Sequence, residues 1–309
     1  MSLLQKSPRK SKSALFNRSG PLVVIVGQTA SGKSALAMQI AKKHDGEIVC
    51  ADSRTVYKCM DIGTAKPPKA DQKKVQHYLL DIVDPSERMS AHDFVRLSKK
   101  ALNSIWSRNK LPIVVGGSGM YIDALIFGYT FRNNDVVPLK RYEQMSLSQL
   151  QSEAKQRFGG VISEQDYKNP RRLQALLQRG FASNNDRSAL NLDCLVLGLE
   201  LSDGVLKERI RLRTKEMFTD GFTNEVKRLL KKYPPSAPGL QATGYREVVD
   251  GLENGLDKDK IAQAVERATW QLARKQRTWF RRNKHIQWMQ SSDQAIREVS
   301  IYLEQSKLQ

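Results

Sequence analysis

The 309-residue sequence predicts an α/β fold, a doubly wound parallel sheet carrying an inserted small helical lobe. Three observations lead there. Short apolar runs rich in β-branched residues alternate with helical periodicity from residue 21 to 128, as in a parallel sheet covered by helices. The first run enters GQTASGKS, a glycine-bounded loop followed by a helix. Between Tyr129 and about Asp186 the chain turns polar and strand-poor, and CLVLGLEL from Cys194 then resumes the core pattern. The expected division is a basic arm over residues 1–20, a core of 21–130 and 187–309, and a lobe of 131–186.

Charge points to a partner. Lys and Arg number 51 against 32 Asp and Glu, a formal charge of +19, and the physical expectation is a polyanion, RNA or DNA before others. Cys50, Cys59 and Cys194 are odd in number and lack CxxC spacing, so neither a disulfide framework nor a zinc site is indicated, and a reducing, cytoplasmic location fits. No apolar run approaches the length of a membrane span. The arm holds Lys6, Arg9, Lys10, Lys12 and Arg18 with no acid, and it has no apolar centre for a secretory signal. An organelle transit peptide shares that composition.

PLVVIV, Pro21 to Val26, reads as the first buried strand. Gly27, Gln28, Thr29, Ala30, Ser31, Gly32, Lys33 and Ser34 then fit GxxxxGK[ST], which makes the fold P-loop NTPase-like. Backbone N–H groups of such a loop cradle phosphate oxygens, the lysine reaches the outer phosphate, and the Ser34 hydroxyl serves Mg²⁺. Leu36, Ala37, Ile40 and Ala41 give the next helix its apolar face, so a helix N-terminus meets the anion. A diphosphate is the expected ligand; the motif leaves open whether it belongs to a nucleotide.

EIVCADS is a second strand, ending in Asp52 and Ser53. A carboxylate at a strand's carboxyl end sits on the rim where such sheets bind ligands, although an Asp there also caps turns. LLDIV, Leu79 to Val83, is a third strand candidate, and Phe94, Leu97, Ala101, Leu102 and Ile105 mark a helix capped by Ser90 with Asp93. LPIVV leads into the turn Gly116 to Gly119, where a nucleotide hydrolase would normally place an Asp for Mg²⁺. Its absence counts against a standard ATPase, with Asp52 or Asp81 left as substitutes.

The lobe should hold two or three short helices, the clearest with Leu173, Leu176 and Leu177 and with Arg171 and Arg172 at its start. Positive charge there opposes the helix dipole and so suggests a partner. Beyond CLVLGLEL, Leu206, Ile210, Arg213 and Met217 share one helical stripe. An arginine on an apolar stripe needs an anion, either a protein carboxylate or a diphosphate. QATGYREVVDGL is a turn into a helix, and seven Lys/Arg lie between Arg267 and His285 beside Trp270, Trp279 and Phe280. The aromatics are expected in the core and the charges outside.

GQTASGKS, ADSRTVYKCMDIGTAKP, HYLLDIVDP, LPIVVGGSGMYIDAL, ATGYREV and TWQLARKQRTWFRR resemble, in order and spacing, the tRNA dimethylallyltransferases. The resemblance runs from Gly27 to Trp288 apart from the lobe. It implies transfer of a dimethylallyl group from dimethylallyl diphosphate to the exocyclic amine of the adenosine 3′ of the anticodon, with the phosphate loop holding the diphosphate and Mg²⁺. Asp52 matches the family's general base, Ser118 stands where the family has Thr after GG, and Arg213 aligns with an arginine on the diphosphate. The residues implied to contact the tRNA anticodon stem-loop are Asp52, Ser53, Arg54, Thr55 and Ser118; Arg171, Arg172, Leu173, Gln174 and Ala175; and Gln241, Ala242, Thr243, Gly244, Tyr245 and Arg246. The lobe is shorter than usual and Ala175 replaces a family arginine. A bacterial-type monomer without a zinc-finger extension is expected. A small-molecule P-loop kinase and an RNA-binding, NTP-dependent switch are the rival readings.

Overall fold

The structure, a computed structural model, describes residues 20–129, 141–142, 144–158, 162, 164–179 and 189–307. The arm expected over residues 1–20 lies, but for Gly20, outside them. The chain divides into two compact units, Met1–Gly128 with Ala189–Gln309, and Tyr129–Ser188.

The first unit is built on six strands: β1 (Leu22–Gly27), β2 (Gly46–Cys50), β3 (His77–Tyr78), β4 (Leu111–Gly116), β5 (Cys194–Leu199) and β6 (Gln287–Met289). Every pairing is parallel, in the order β3-β2-β4-β1-β5-β6. Both β1 and β4 are buried along their whole length, which explains their unbroken apolar sequence. Crossovers leave β1 towards β2 and β3 on one side and towards β5 and β6 on the other, so a crevice opens beyond its carboxyl end. Register brings three strand ends level there, with Val26 opposite Gly116 and Cys50 opposite Val115.

Helices α1 (Lys33–Lys43), α2 (Lys69–Lys74), α3 (Ala91–Ser107) and α4 (Gly119–Ile126) fill the first half. Ser90 and Asp93 form the expected capping box at α3. The strand expected over Leu79–Val83 is displaced: only His77 and Tyr78 pair with β2, and Val83 makes an isolated bridge to Tyr57. An ion cluster on the buried Lys66 ammonium accompanies the displacement. Lys66 Nζ donates to Asp81 at 2.5 Å, to Asp61 at 2.7 Å and to the Tyr57 carbonyl at 2.9 Å. The chain delivers Asp81 to it through Leu79 and Asp81 at φ of 65° and 55°, outside extended geometry.

The second unit holds α5 (Leu147–Phe158), α6 (Glu164–Tyr167) and α7 (Pro170–Arg179) around Tyr142, Leu150, Ala154, Leu173 and Leu177. The first unit gives up the chain and takes it back at one place. Asn191 N–H donates to the Ile126 carbonyl at 2.7 Å, and Gly128, at φ 63°, lies against the Asn191 side chain.

After β5 come α8 (Asp203–Thr219), α9 (Phe222–Leu230), α10 (Tyr245–Glu253), α11 (Lys258–Phe280) and α12 (Ser292–Lys307). Phe218, Phe222, Tyr245 and Val248 form a second core with Val56, Tyr57 and Met60. On α11 the aromatics turn inward as expected: Phe280 is buried and Trp270 packs on Leu206, Ile210 and Ala273. Arg274, Lys275, Arg281 and Arg282 stay exposed.

Candidate active site

The phosphate loop follows from β1 and is shaped by two residues in the left-handed region, Ala30 at φ 61° and Gly32 at φ 95°. Gly32 caps α1 without a side-chain acceptor, which leaves the helix's first amides to an anion. Helix α11 braces the loop from behind. Gln28 Nε2 donates to the Ala273 carbonyl at 3.1 Å, and Gln276 accepts from Thr29 N–H at 2.8 Å while donating to the Gly117 carbonyl at 3.0 Å. One turn on, Trp279 Nε1 donates to Asp123 at 2.8 Å. Its ring explains Gly119, where a Cβ would lie 2.2 Å from Trp279 Cδ1.

Positive charge converges on the loop. Lys33 Nζ donates to the Gln28 carbonyl at 3.1 Å, Arg213 Nη1 to Thr29 Oγ1 at 3.2 Å, and Arg209 Nη1 to the Ser31 carbonyl at 3.2 Å. Desolvation pulls the Lys33 amine down to about 8; the Arg213 charge acts in the same sense and Asp52 opposes both. Desolvation also lowers the Arg213 guanidinium, with Asp52 again opposing. Those shifts describe two cations drawn out of water beside a single shared carboxylate, Asp52. Ser31 Oγ is buried without a hydrogen-bond partner, a further group that a phosphate oxygen would satisfy.

Asp52 follows the end of β2 and both caps a turn and faces a pocket. Its Oδ1 accepts from Arg54 N–H at 2.8 Å, fixing a turn, and the residue lines the pocket beyond the sheet. Ser118 joins that turn to the glycine turn after β4: its Oγ accepts from Ser53 N–H at 2.9 Å, and its N–H donates to the Ala51 carbonyl at 3.2 Å. The pocket gathers Thr29, Asp52, Arg54, Arg213 and Gln276 with Gly63, Thr64, Thr243 and Gly244. Ile210, Met217, Val265 and Leu272 give it an apolar wall. Arg213 therefore sits at the edge of its helix stripe, whose buried residues are Leu206, Ile210, Thr214 and Phe218.

The remaining residues divide. Thr55, Ala242 and Tyr245 are buried, whereas Gln241 and Arg246 are exposed, the latter paired with Glu247 at 2.6 Å. In the second unit Arg171 and Arg172 are exposed on α7, with Arg172 held by Asp166 at 2.8 Å. Leu173 is core there, Gln174 donates to the Tyr142 carbonyl at 3.0 Å, and Ala175 is partly exposed. Ser34 is exposed on the first turn of α1. Among the described residues no group of three His, Cys, Asp or Glu could hold a metal ion. Mg²⁺ suits such a site, since it commonly takes one or two protein oxygens and completes its shell with phosphate and water.

Arg209, Gln276 and Glu225 were not anticipated from sequence. Glu225 had a signal: it lies three residues after Phe222 and one before Val226, an acid on a buried stripe.

No helix among the described residues is long and apolar enough to cross a membrane. A family model described as IPP transferase matches residues 55–283. The tRNA dimethylallyltransferase of Staphylococcus carnosus is 32% identical over 292 residues, spanning 89% of this chain and 92% of the relative. The tRNA dimethylallyltransferase 1 of Syntrophotalea carbinolica is 38% identical over 287 residues, spanning 88% and 91%. The full-length tRNA isopentenylpyrophosphate transferase of Bacillus halodurans superposes with a TM-score of 0.72 at 28% identity, covering 94% of this chain and 98% of that one. A eukaryotic dimethylallyltransferase caught acting on tRNA gives 0.69 at 26% identity, covering 85% and 70%. With relatives above 30% identity matched along nearly their full length and a family model over most of the sequence, the chain belongs to the tRNA dimethylallyltransferase family.

Proposed function

We propose that this prenyl transferase acting on tRNA moves a dimethylallyl group from dimethylallyl diphosphate to the exocyclic amine of the adenosine 3′ of the anticodon. One observation carries the reading: a carboxylate, Asp52, lines one pocket with Arg213 and an apolar wall of Ile210, Met217, Val265 and Leu272, and it is coupled electrostatically to Arg213 and to the phosphate-loop lysine. A diphosphate, a five-carbon chain and an amine proton each find a matching group there. The strand end where a nucleotide hydrolase would carry an Asp is instead Gly116.

In the transfer the C1–oxygen bond to the diphosphate breaks as the amine nitrogen forms its bond to C1. The amine proton passes to the Asp52 carboxylate, since an adenine amine is a poor nucleophile until it is relieved of a proton. The leaving diphosphate keeps the electron pair. Lys33, the first amides of α1, Arg213 and Arg209 stabilise its developing charge, the three side chains from positions already fixed by the Gln28 carbonyl, the Thr29 hydroxyl and the Ser31 carbonyl. Mg²⁺, held through Ser34 and the phosphates, would add Lewis-acid stabilisation of the same leaving group. The accepting base has to leave its stack to reach such a pocket, at a cost of a few kcal/mol.

Incubation with unmodified tRNA bearing that adenosine, Mg²⁺ and dimethylallyl diphosphate, followed by nucleoside mass analysis, tests the proposal. One five-carbon prenyl group on the adenosine is expected. ATP consumption without prenyl transfer would replace it with a kinase or switch.

A further inference from the structure

Helix α9 carries an acid on its buried face. Glu225 is 2% exposed, among Phe222, Val226 and Leu229. Four donors converge on its carboxylate. Asp61 and Ile62 N–H reach Oε2, each at 2.9 Å; Gly63 N–H reaches Oε1 at 3.2 Å and the Tyr245 hydroxyl reaches the same oxygen at 2.6 Å. A buried carboxylate is costly unless its acceptors are filled. Here three consecutive amides fill them, an arrangement that elsewhere receives a phosphate. Burial, then the carboxylate itself, push the Tyr245 hydroxyl well up, which keeps it a donor.

The two segments that Glu225 joins are both walls of the pocket. Gly63 and Thr64 line it from the loop, and Gly244 lines it just before Tyr245 opens α10. Packing leaves the loop no slack, because a Cβ at Gly63 would lie 2.1 Å from Phe222 Cε2 and 2.6 Å from Tyr245 Cε2. Lys66 holds the far side of the loop through Asp61 and Tyr57.

We infer that Glu225 is a positioning residue for prenyl transfer: by binding the Asp61, Ile62 and Gly63 amides together with Tyr245, it fixes Gly63 and Thr64 against Gly244 and sets the width of the pocket where base and prenyl group meet. The inference rests on the transfer reaction proposed above. Glu225 touches neither substrate. Its loss acts on turnover more than on the diphosphate, whose loop is braced separately by Gln276 and the Ala273 carbonyl.

The test uses the full chain as wild type, Glu225→Gln, Gly63→Ala and Val226→Ala, with two readouts. One is hydrogen exchange across residues 57–66, and the other is the single-turnover rate of prenyl transfer at saturating tRNA and dimethylallyl diphosphate. Glutamine keeps one acceptor oxygen but turns an NH₂ donor towards the other donors. Glu225→Gln is expected to speed loop exchange and slow transfer, each by about tenfold or more, with affinity for dimethylallyl diphosphate held within about twofold. Gly63→Ala, which leaves Glu225 in place but forces the loop off Phe222 and Tyr245, should slow transfer similarly and decides the matter if Glu225→Gln does not fold. Val226→Ala loosens the same core and should lower Tm while keeping transfer within about threefold of wild type.

Unchanged loop exchange in Glu225→Gln overturns the inference. So does fast exchange with wild-type transfer, and so does an equal loss of transfer in Val226→Ala. A wild-type protein that transfers no prenyl group sinks the reaction itself, and the exchange comparison still decides whether Glu225 anchors the loop.

Discussion

Lys33 gives up part of its charge before any ligand arrives. Its amine lies at about 8, against 10.5 for an unburied lysine. It is therefore about nine-tenths protonated at pH 7 and only about one-thirtieth at pH 9.5. A diphosphate against the ammonium restores the higher value, so binding takes up a proton: about half a proton per site at pH 8 and nearly one at pH 9. The dissociation constant should be flat below about pH 7.5 and then climb towards tenfold per pH unit, reaching roughly thirtyfold by pH 9.5. The diphosphate's own terminal ionisation, near pH 6, is complete across that window.

For the unliganded protein the sign is opposite. The unfolded chain binds the extra proton between about pH 8 and 10.5, so the Lys33 contribution to unfolding free energy rises with pH while affinity falls. Calorimetric titration with dimethylallyl diphosphate in two buffers of different ionisation heat counts the protons directly. Lys33→Arg, whose guanidinium keeps its charge, should abolish both the uptake and the slope. Absence of uptake by wild type at pH 8 to 9, or equal uptake by Lys33→Arg, would refute the reasoning.

Other perturbations separate the remaining parts of the site. Asp52→Asn keeps an oxygen for the Arg54 amide yet cannot take a proton, so transfer should fall about a hundredfold or more while tRNA affinity stays within about twofold; normal turnover would remove Asp52 from its role. Gln276→Ala strips the brace between Thr29 and Gly117, two hydrogen bonds worth roughly 1 kcal/mol each, and should weaken dimethylallyl diphosphate binding by about tenfold in titration calorimetry; unchanged affinity would show that the loop holds its shape alone. Filter binding of tRNA between about 50 and 200 mM salt should weaken by orders of magnitude if exposed residues such as Arg274, Lys275 and Arg281 contact phosphates, and a flat response would contradict the charge argument.

The sheet was legible because buried parallel strands write themselves as unbroken apolar runs, and the phosphate loop because few other structures need that glycine and lysine spacing. The third strand misled for a physical reason. LLDIV has strand composition, but Lys66, thirteen residues upstream of its first leucine, buries its ammonium and pairs with Asp81 outside the ladder. Local sequence carries no trace of that long-range ion pair. Asp52 stood out by strand-end position and Arg213 by an apolar stripe, whereas Ser118 came only from the family resemblance. Gln276 did not, because it sits in a run of Arg and Lys where a neutral amide reads as one more exposed polar residue, and only the fold shows it reaching Thr29 and Gly117.

The meeting of Ile126, Gly128 and Asn191 makes the second unit a pendant in topological terms. Because departure and return are already closed by a hydrogen bond within the sheet-bearing unit, the length of chain spent between them hardly enters the energetics of the sheet. Loop-closure entropy changes by only about 0.6 kcal/mol for each doubling. Such a junction lets evolution lengthen, trim or exchange the excursion as a cassette without re-registering a single strand. It offers a protein engineer the same cut points, between 128 and 129 and between 188 and 189, for grafting a helical unit from another member of the family.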